Sequence, residues 1–208
     1  MRINLLPFSG RVGTTSIALA LANNMAKREV NVDLVCSEHH QVTQLLHYAG
    51  MLISDNMQPS GIYKRIIPTQ YAFTIRTEEQ PLNGYSVGIY GNDVHSRAKH
   101  ALARDAFTYT IALVSTTYSS LASVVQSSLD KVIDGYILNV IPDTPLTPSD
   151  CDAVLEKPCI AQWEFDTAFQ RRIDAGMFLQ RNDYLLEMTT DILDRAFAKA
   201  NHKMGFGG

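Results

Sequence analysis

The sequence predicts an α/β protein with a mostly parallel, doubly wound sheet and helices on both faces. Three observations predict it. Apolar runs alternate with helix-period patterns along most of the 208 residues. The runs are continuous rather than polar–apolar alternating, as in strands covered on both sides. A turn containing Gly10 and Gly13 joins the first apolar run directly to the first helical pattern. The composition agrees: 46% hydrophobic and 19% charged residues suffice for a full core in a single domain over 1–208. The net charge of −3 gives no global attraction to nucleic acid. No apolar stretch reaches the roughly 18 residues of a membrane span.

The elements follow in order. Ile3-Asn4-Leu5-Leu6-Pro7-Phe8 reads as a buried strand, and Ser16–Lys27, rich in Ala and Leu, as a helix. Further strands are expected at Asn31–Ser37, Tyr71–Arg76, Tyr85–Tyr90, Tyr109–Ser115, Asp134–Val140 and Cys159–Trp163. Helical patterns occupy Gln41–Ala49, His95–Ala106, Leu121–Lys131, Pro148–Leu155, Asp166–Ala175 and Asp183–Ala200. Pro59, Gly61, Pro68 and Pro81 interrupt Ser54–Pro81, which is expected to hold loop and short strand. The tail Met204–Gly208 is expected to be mobile. In the last helix Tyr184, Leu185, Met188, Ile192, Leu193, Ala196 and Phe197 recur at helical spacing. That helix lacks a basic face, so packing on the sheet or on a second subunit is expected rather than membrane binding. Cys36, Cys151 and Cys159 follow no metal-ligand spacing and are expected to be reduced thiols in a cytoplasmic protein.

The first turn carries the chemistry. A strand, a glycine turn and a helix N-terminus gather backbone N–H groups and a positive dipole end at one point, which suits a phosphate. Phosphate loops place a lysine before their hydroxyl pair. Here Thr14 holds that place, ahead of Thr15 and Ser16. By itself the turn serves equally well as a tight connection with Thr14 as an ordinary N-cap.

Ser9-Gly10-Arg11-Val12-Gly13-Thr14-Thr15-Ser16 aligns without gaps with the deviant phosphate loop K-G-G-x-G-K-[T/S]-[T/S]. Leu34-Val35-Cys36-Ser37-Glu38 is similar to an L-V-D-x-D strand, and Gly135–Asn139 to a strand ending in an adenine-contacting Asn. Pro158–Asp166 and Arg172–Gly176 follow in matching order. Together these pieces, from residue 2 to about 180, resemble the ParA/MinD group of P-loop ATPases. The resemblance implies ATP or ADP with Mg²⁺. It places Gly10, Arg11, Val12, Gly13, Thr14, Thr15 and Ser16 around phosphate, and Asn139 and Asp166 around adenine. It also places Thr15 and Asp93 at the metal, with Glu38 and Asp93 as the candidate catalytic carboxylates. It implies a homodimer, or a partner protein of the same assembly, with any DNA contact indirect.

The departures fall on the chemistry. Ser9 and Thr14 stand where the group has its two lysines, Arg11 replaces a glycine, and Cys36 replaces an aspartate. The Mg²⁺-shell aspartate expected at the end of Tyr85–Tyr90 has only Asp93 nearby, displaced by a residue or two. Phosphoryl transfer depends on cations that neutralise the charge spreading over the γ-phosphate oxygens. The expectation is therefore a degenerate scaffold or positioning factor for plasmid DNA, conjugation or pilus-type machinery, with weak or absent ATP hydrolysis. The alternative is a working switch in which Arg11 or a partner supplies the cation. A metabolic enzyme on the same fold would need an intact phosphate loop, and a Cys36–His39/His40 nucleophile has no orienting third group.

Overall fold

The computed structural model describes residues 1–8, 13–28, 31–36, 84–90, 107–129, 131–164 and 183–203, and the backbone of 62–66 and 72–76. Its strands are β1 (Arg2–Pro7), β2 (Val32–Cys36), β3 (Ile62–Ile66), β4 (Ala72–Arg76), β5 (Tyr85–Ile89), β6 (Thr108–Ser115), β7 (Gly135–Val140) and β8 (Cys159–Glu164). Its helices are α1 (Thr14–Ala26), α2 (Tyr118–Gln126), α3 (Pro148–Leu155) and α4 (Asp183–Lys203). The expected helices at Gln41–Ala49, His95–Ala106 and Asp166–Ala175, and the tail, lie outside the described residues.

The described strands form one sheet in the order β3-β4-β2-β5-β1-β6-β7-β8. Every pairing is parallel except β3 with β4 at one edge. β3 is the short strand expected within Ser54–Pro81. It answers β4 through five intervening residues, which is enough for a hairpin but not for a parallel crossover.

β1 lies at the centre and its side chains divide between two cores. Ile3 and Leu5 join the core under α1 and α4, while Leu6 and Phe8 join the core under α2 and α3. α1 buries most of its length, Ile17 to Ala22 included, because its small and aliphatic residues leave no polar face. α4 buries Leu185, Met188, Ile192, Leu193, Ala196 and Ala200 against α1 and the sheet, as its periodicity predicted. Asn24 of α1 donates to Thr189 Oγ1 at 3.0 Å and Thr190 Oγ1 at 3.1 Å, so the two helices are also tied by polar contacts. At the opposite end of α4, Lys199 Nζ reaches Asp134 Oδ1 at 2.7 Å and the Thr108 carbonyl at 2.8 Å.

One helix departs furthest from its expected limits. The apolar spacing predicts Leu121–Lys131, but α2 runs from Tyr118 to Gln126. It starts early because the Thr117 side chain accepts from Ser120 N at 3.3 Å. It stops early because Ser127 Oγ takes the Val124 carbonyl at 2.6 Å and Ser128 turns left-handed at φ 55°. Leu129 still reaches the core from the turn beyond, which is why the spacing through Lys131 looked helical. Among the described residues, no helix is long and apolar enough to cross a membrane.

Candidate functional site

The β1–α1 junction stands at the carboxyl end of the central strand, where open α/β sheets bind ligands. Gly13 is the N-cap of α1 and lies in the left-handed region at φ 79°. Thr14 is therefore the first helical residue and not the cap, which corrects the expectation of an ordinary Thr14 N-cap. The cap position contributes no side-chain hydrogen bond, and the first turn contains no acidic residue. The N–H groups of that turn are left to an acceptor other than the cap residue, with the positive end of the helix dipole behind them. Thr14 and Thr15 are half-buried and Ser16 is buried.

Trp163 packs against this turn. A Cβ on Gly13 would lie 3.8 Å from the indole Cζ2 and 3.9 Å from Cε2. These are ordinary contacts, so the turn requires glycine for its φ and not for space. Asn139 of β7 pairs in register with Trp163 of β8 on one side and Ser115 of β6 on the other. The strand register thus brings Asn139 within one strand of the residue whose ring faces Gly13. Asn139 is buried at 4% exposure, and its carbonyl accepts from Thr116 N at 3.2 Å. Thr116 Oγ1 accepts in turn from Ile141 N at 2.9 Å and from Thr144 Oγ1 at 2.8 Å, fixing the end of β7.

On the other side of β1, Tyr90 folds back into the second core. Its hydroxyl donates to Asn4 Oδ1 at 3.2 Å and receives a hydrogen bond from Arg2. Burial pushes its pKa up, against the lowering effect of Arg2. A Cβ on Gly88 would meet the Tyr90 hydroxyl at 2.5 Å, so the folded-back ring depends on that glycine. The ring thus runs back along β5 toward Asn4 and Arg2.

Of the remaining expected residues, Gly10, Arg11, Val12, Glu38, Asp93 and Asp166 lie outside the described residues, as do His39, His40 and the Cys36 side chain. Among the described residues, no group of three or more His, Cys, Asp and Glu is placed to hold a metal ion. Cys151 and Cys159 are free thiols. Burial, then the Asp152 charge, pushes Cys159 up to about 11, and burial raises Cys151 as well, so neither is a nucleophile at neutral pH. Trp163, at the end of the expected strand Cys159–Trp163, lies in the core at 3% exposure. Its contact with Gly13 was not foreseen, although the alignment of Asn139 and Trp163 on adjacent strands holds the signal.

The fold as a whole matches a set of solved structures. The archaeal septum site-determining protein MinD from Pyrococcus horikoshii, complexed with Mg-ADP, superposes with a TM-score of 0.68 at 14% identity, over 95% of this chain and 98% of that one. This chain has the MinD/ParA fold. A ParA family ATPase from Chlorobium tepidum matches with a TM-score of 0.61 at 11% identity, over 94% of this chain and 97% of that one. A Borrelia burgdorferi protein assigned to plasmid partition, bound to AMPPNP, gives 0.62 at 14%, over 95% and 98% of the two chains. No family model and no curated protein matches the sequence. The fold is thus shared at only 11–14% identity with these structures.

Proposed function

We propose that this chain is a positioning or segregation factor of the MinD/ParA type that holds ATP or ADP weakly and hydrolyses it slowly or not at all. The observation that carries the proposal is the α1 N-terminus. It is left without a side-chain cap or a first-turn carboxylate, and Thr14 stands where a lysine would neutralise phosphate. The residues described there fit the phosphate part of a nucleotide. Backbone N–H groups of Thr14, Thr15 and Ser16 would hold it, Thr15 would offer its hydroxyl to Mg²⁺, and Asn139 would face the base after a shift from its buried position. A bound Mg²⁺ would neutralise phosphate charge, which the chain's own described side chains do not do at this turn.

Loss of one charge-assisted contact costs about 1.5–3 kcal/mol, or a roughly ten- to hundredfold weaker Kd. Binding at cellular ATP then survives while turnover suffers most, because turnover depends on cations at the transferring group. The chain would act in the cytoplasm as a homodimer or bound to a partner of the same assembly, with Ser9 in place of the lysine that closes such dimers in the family.

Calorimetry with ATP and ADP, with and without Mg²⁺, together with phosphate release tests the reading. Weak binding without turnover is the expected result. Tight binding with steady turnover would instead favour a working switch whose cation comes from Arg11 or from a partner. Filter retention of plasmid DNA across a salt series tests the segregation branch, since phosphate contacts must weaken with salt.

A further inference from the structure

Among the described residues, a Cβ at Gly13 would meet two side chains, Ile17 of α1 itself at 3.9 Å and Trp163 of β8 at 3.8 Å, and Trp163 also touches the last helix. Trp163, the single tryptophan of the chain, lies with its six-membered ring under Gly13. Its ring meets Tyr184 of α4 edge-on, with centroids 6.2 Å apart and planes at 65°. Tyr184 is anchored in turn, its hydroxyl donating to the Gln162 carbonyl beside the tryptophan. Further along, α4 is joined to α1 itself. Asn24 reaches Thr189 and Thr190, Arg28 Nη2 pairs with Asp194 Oδ1 at 3.6 Å, and Arg28 also sits 5.9 Å from the centre of the Phe197 ring. The turn, the indole, Tyr184 and α4 therefore form a closed circuit that returns to α1.

We infer that Trp163 is a positioning residue of the Gly13 turn, the one that reaches it from another strand, and that Tyr184 couples this turn to α4. Glycine at position 13 has no side chain with which to fix its own left-handed conformation. The indole supplies the missing contact surface, and a flat, rigid ring does so with little loss of rotamer entropy. Any ligand that tightens the turn must press on Trp163, and through it on the Tyr184 ring. The effect on a ligand rests on the nucleotide reading given above; the support of the turn does not.

The wild-type protein provides the test, since Trp163 is the sole tryptophan emitter. ATP, ADP and AMPPNP are titrated with and without Mg²⁺, followed in parallel by tryptophan fluorescence and by calorimetry. The Gly13 amide is followed by nuclear magnetic resonance in wild type, Trp163→Phe, Trp163→Leu and Tyr184→Leu. Emission is expected to change saturably with the calorimetric midpoint. Trp163→Phe is expected to keep affinity, and Tyr184→Leu, at a half-exposed position that leaves the core filled, to weaken it about two- to tenfold. The Gly13 resonance should move in Trp163→Leu and in Tyr184→Leu without any nucleotide.

Calorimetric binding with unchanged emission would overturn the inference and leave the nucleotide reading intact. A Gly13 resonance indifferent to Tyr184→Leu would overturn the coupling. No heat with any nucleotide, but a Gly13 resonance that follows both aromatic substitutions, would overturn the nucleotide reading and support the positioning role.

Discussion

Two helices of this molecule begin in opposite ways. α3 closes its own N-terminus. Thr147 accepts from Asp150 N at 3.3 Å, while Asp150 Oδ2 accepts from Thr147 N at 2.8 Å and from Thr147 Oγ1 at 2.7 Å, with Pro148 in the first turn. This is a reciprocal capping box on an exposed surface. α1 begins at the carboxyl end of the central strand with a left-handed glycine, no side-chain cap and no first-turn carboxylate. The exposed terminus spends its polar groups on stability. The terminus at the fold's binding edge leaves its N–H groups and dipole for something outside the helix. The difference separates a helix start that satisfies its own N–H groups from one that, on the reading proposed above, is left to an anion.

The largest expected effect reverses the charge at α1. Thr14→Lys places a cation where the turn now has a hydroxyl and should tighten ATP about ten- to hundredfold by calorimetry. Thr14→Glu should do the opposite. It satisfies the helix dipole from within, adding about 0.3–1 kcal/mol to unfolding stability, while ATP affinity falls. If both substitutions leave ATP affinity unchanged, the contrast between the helices has no bearing on ligands.

Next in size is Gly13→Ala. A Cβ there would meet Trp163 only at ordinary contact distance, so the cost comes from φ 79° and not from a clash. Left-handed backbone with a side chain costs roughly 1–2 kcal/mol, to be read as a lower denaturation midpoint. A smaller change is expected from Thr147→Ala, which removes the α3 cap at a cost of about 1 kcal/mol. Its ATP affinity should equal that of wild type. A loss of affinity from Thr147→Ala, with none from Gly13→Ala, would invert the roles assigned to the two helix starts.

Much of this contrast was legible in the sequence. The Pro148–Leu155 limits of α3 were read from its pattern, and the Thr147–Asp150 box that the structure shows explains why they held. The β1–Gly13–α1 order and the resemblance in Gly135–Asn139 and Pro158–Asp166 pointed to the fold that the solved structures share. Local signals mark what the chain does with itself, and capping is local. What could not be read was set by contacts across strands. Gly13 meets Trp163 some 150 positions away, and Tyr90 folds back because Gly88 leaves it room. The α2 limits failed for a different reason: Leu129 keeps helical spacing in a turn that Ser127 and Ser128 impose.

The smallest effect concerns pH and separates the two helix starts without any ligand. The side-chain hydrogen bond from Thr147, then the backbone one, holds the Asp150 carboxyl below its ordinary value of 3.8. A carboxylate with a lowered folded pKa contributes stability that is fully present above the unfolded pKa and is lost as pH falls through the folded one. The box on α3 should therefore support the fold at neutral pH and release it below about pH 4. Because Asp150 is exposed, the gain is small, and resonance titration resolves it better than a melt. The Thr147 and Asp150 amides should follow the Asp150 titration and stop doing so in Asp150→Asn. The Thr14, Thr15 and Ser16 amides should stay flat through that window, because no carboxylate stands in the first turn of α1. Titration of those three amides together below neutral pH would mean that an acidic group already caps α1, and the opposition between the two helix starts would be lost.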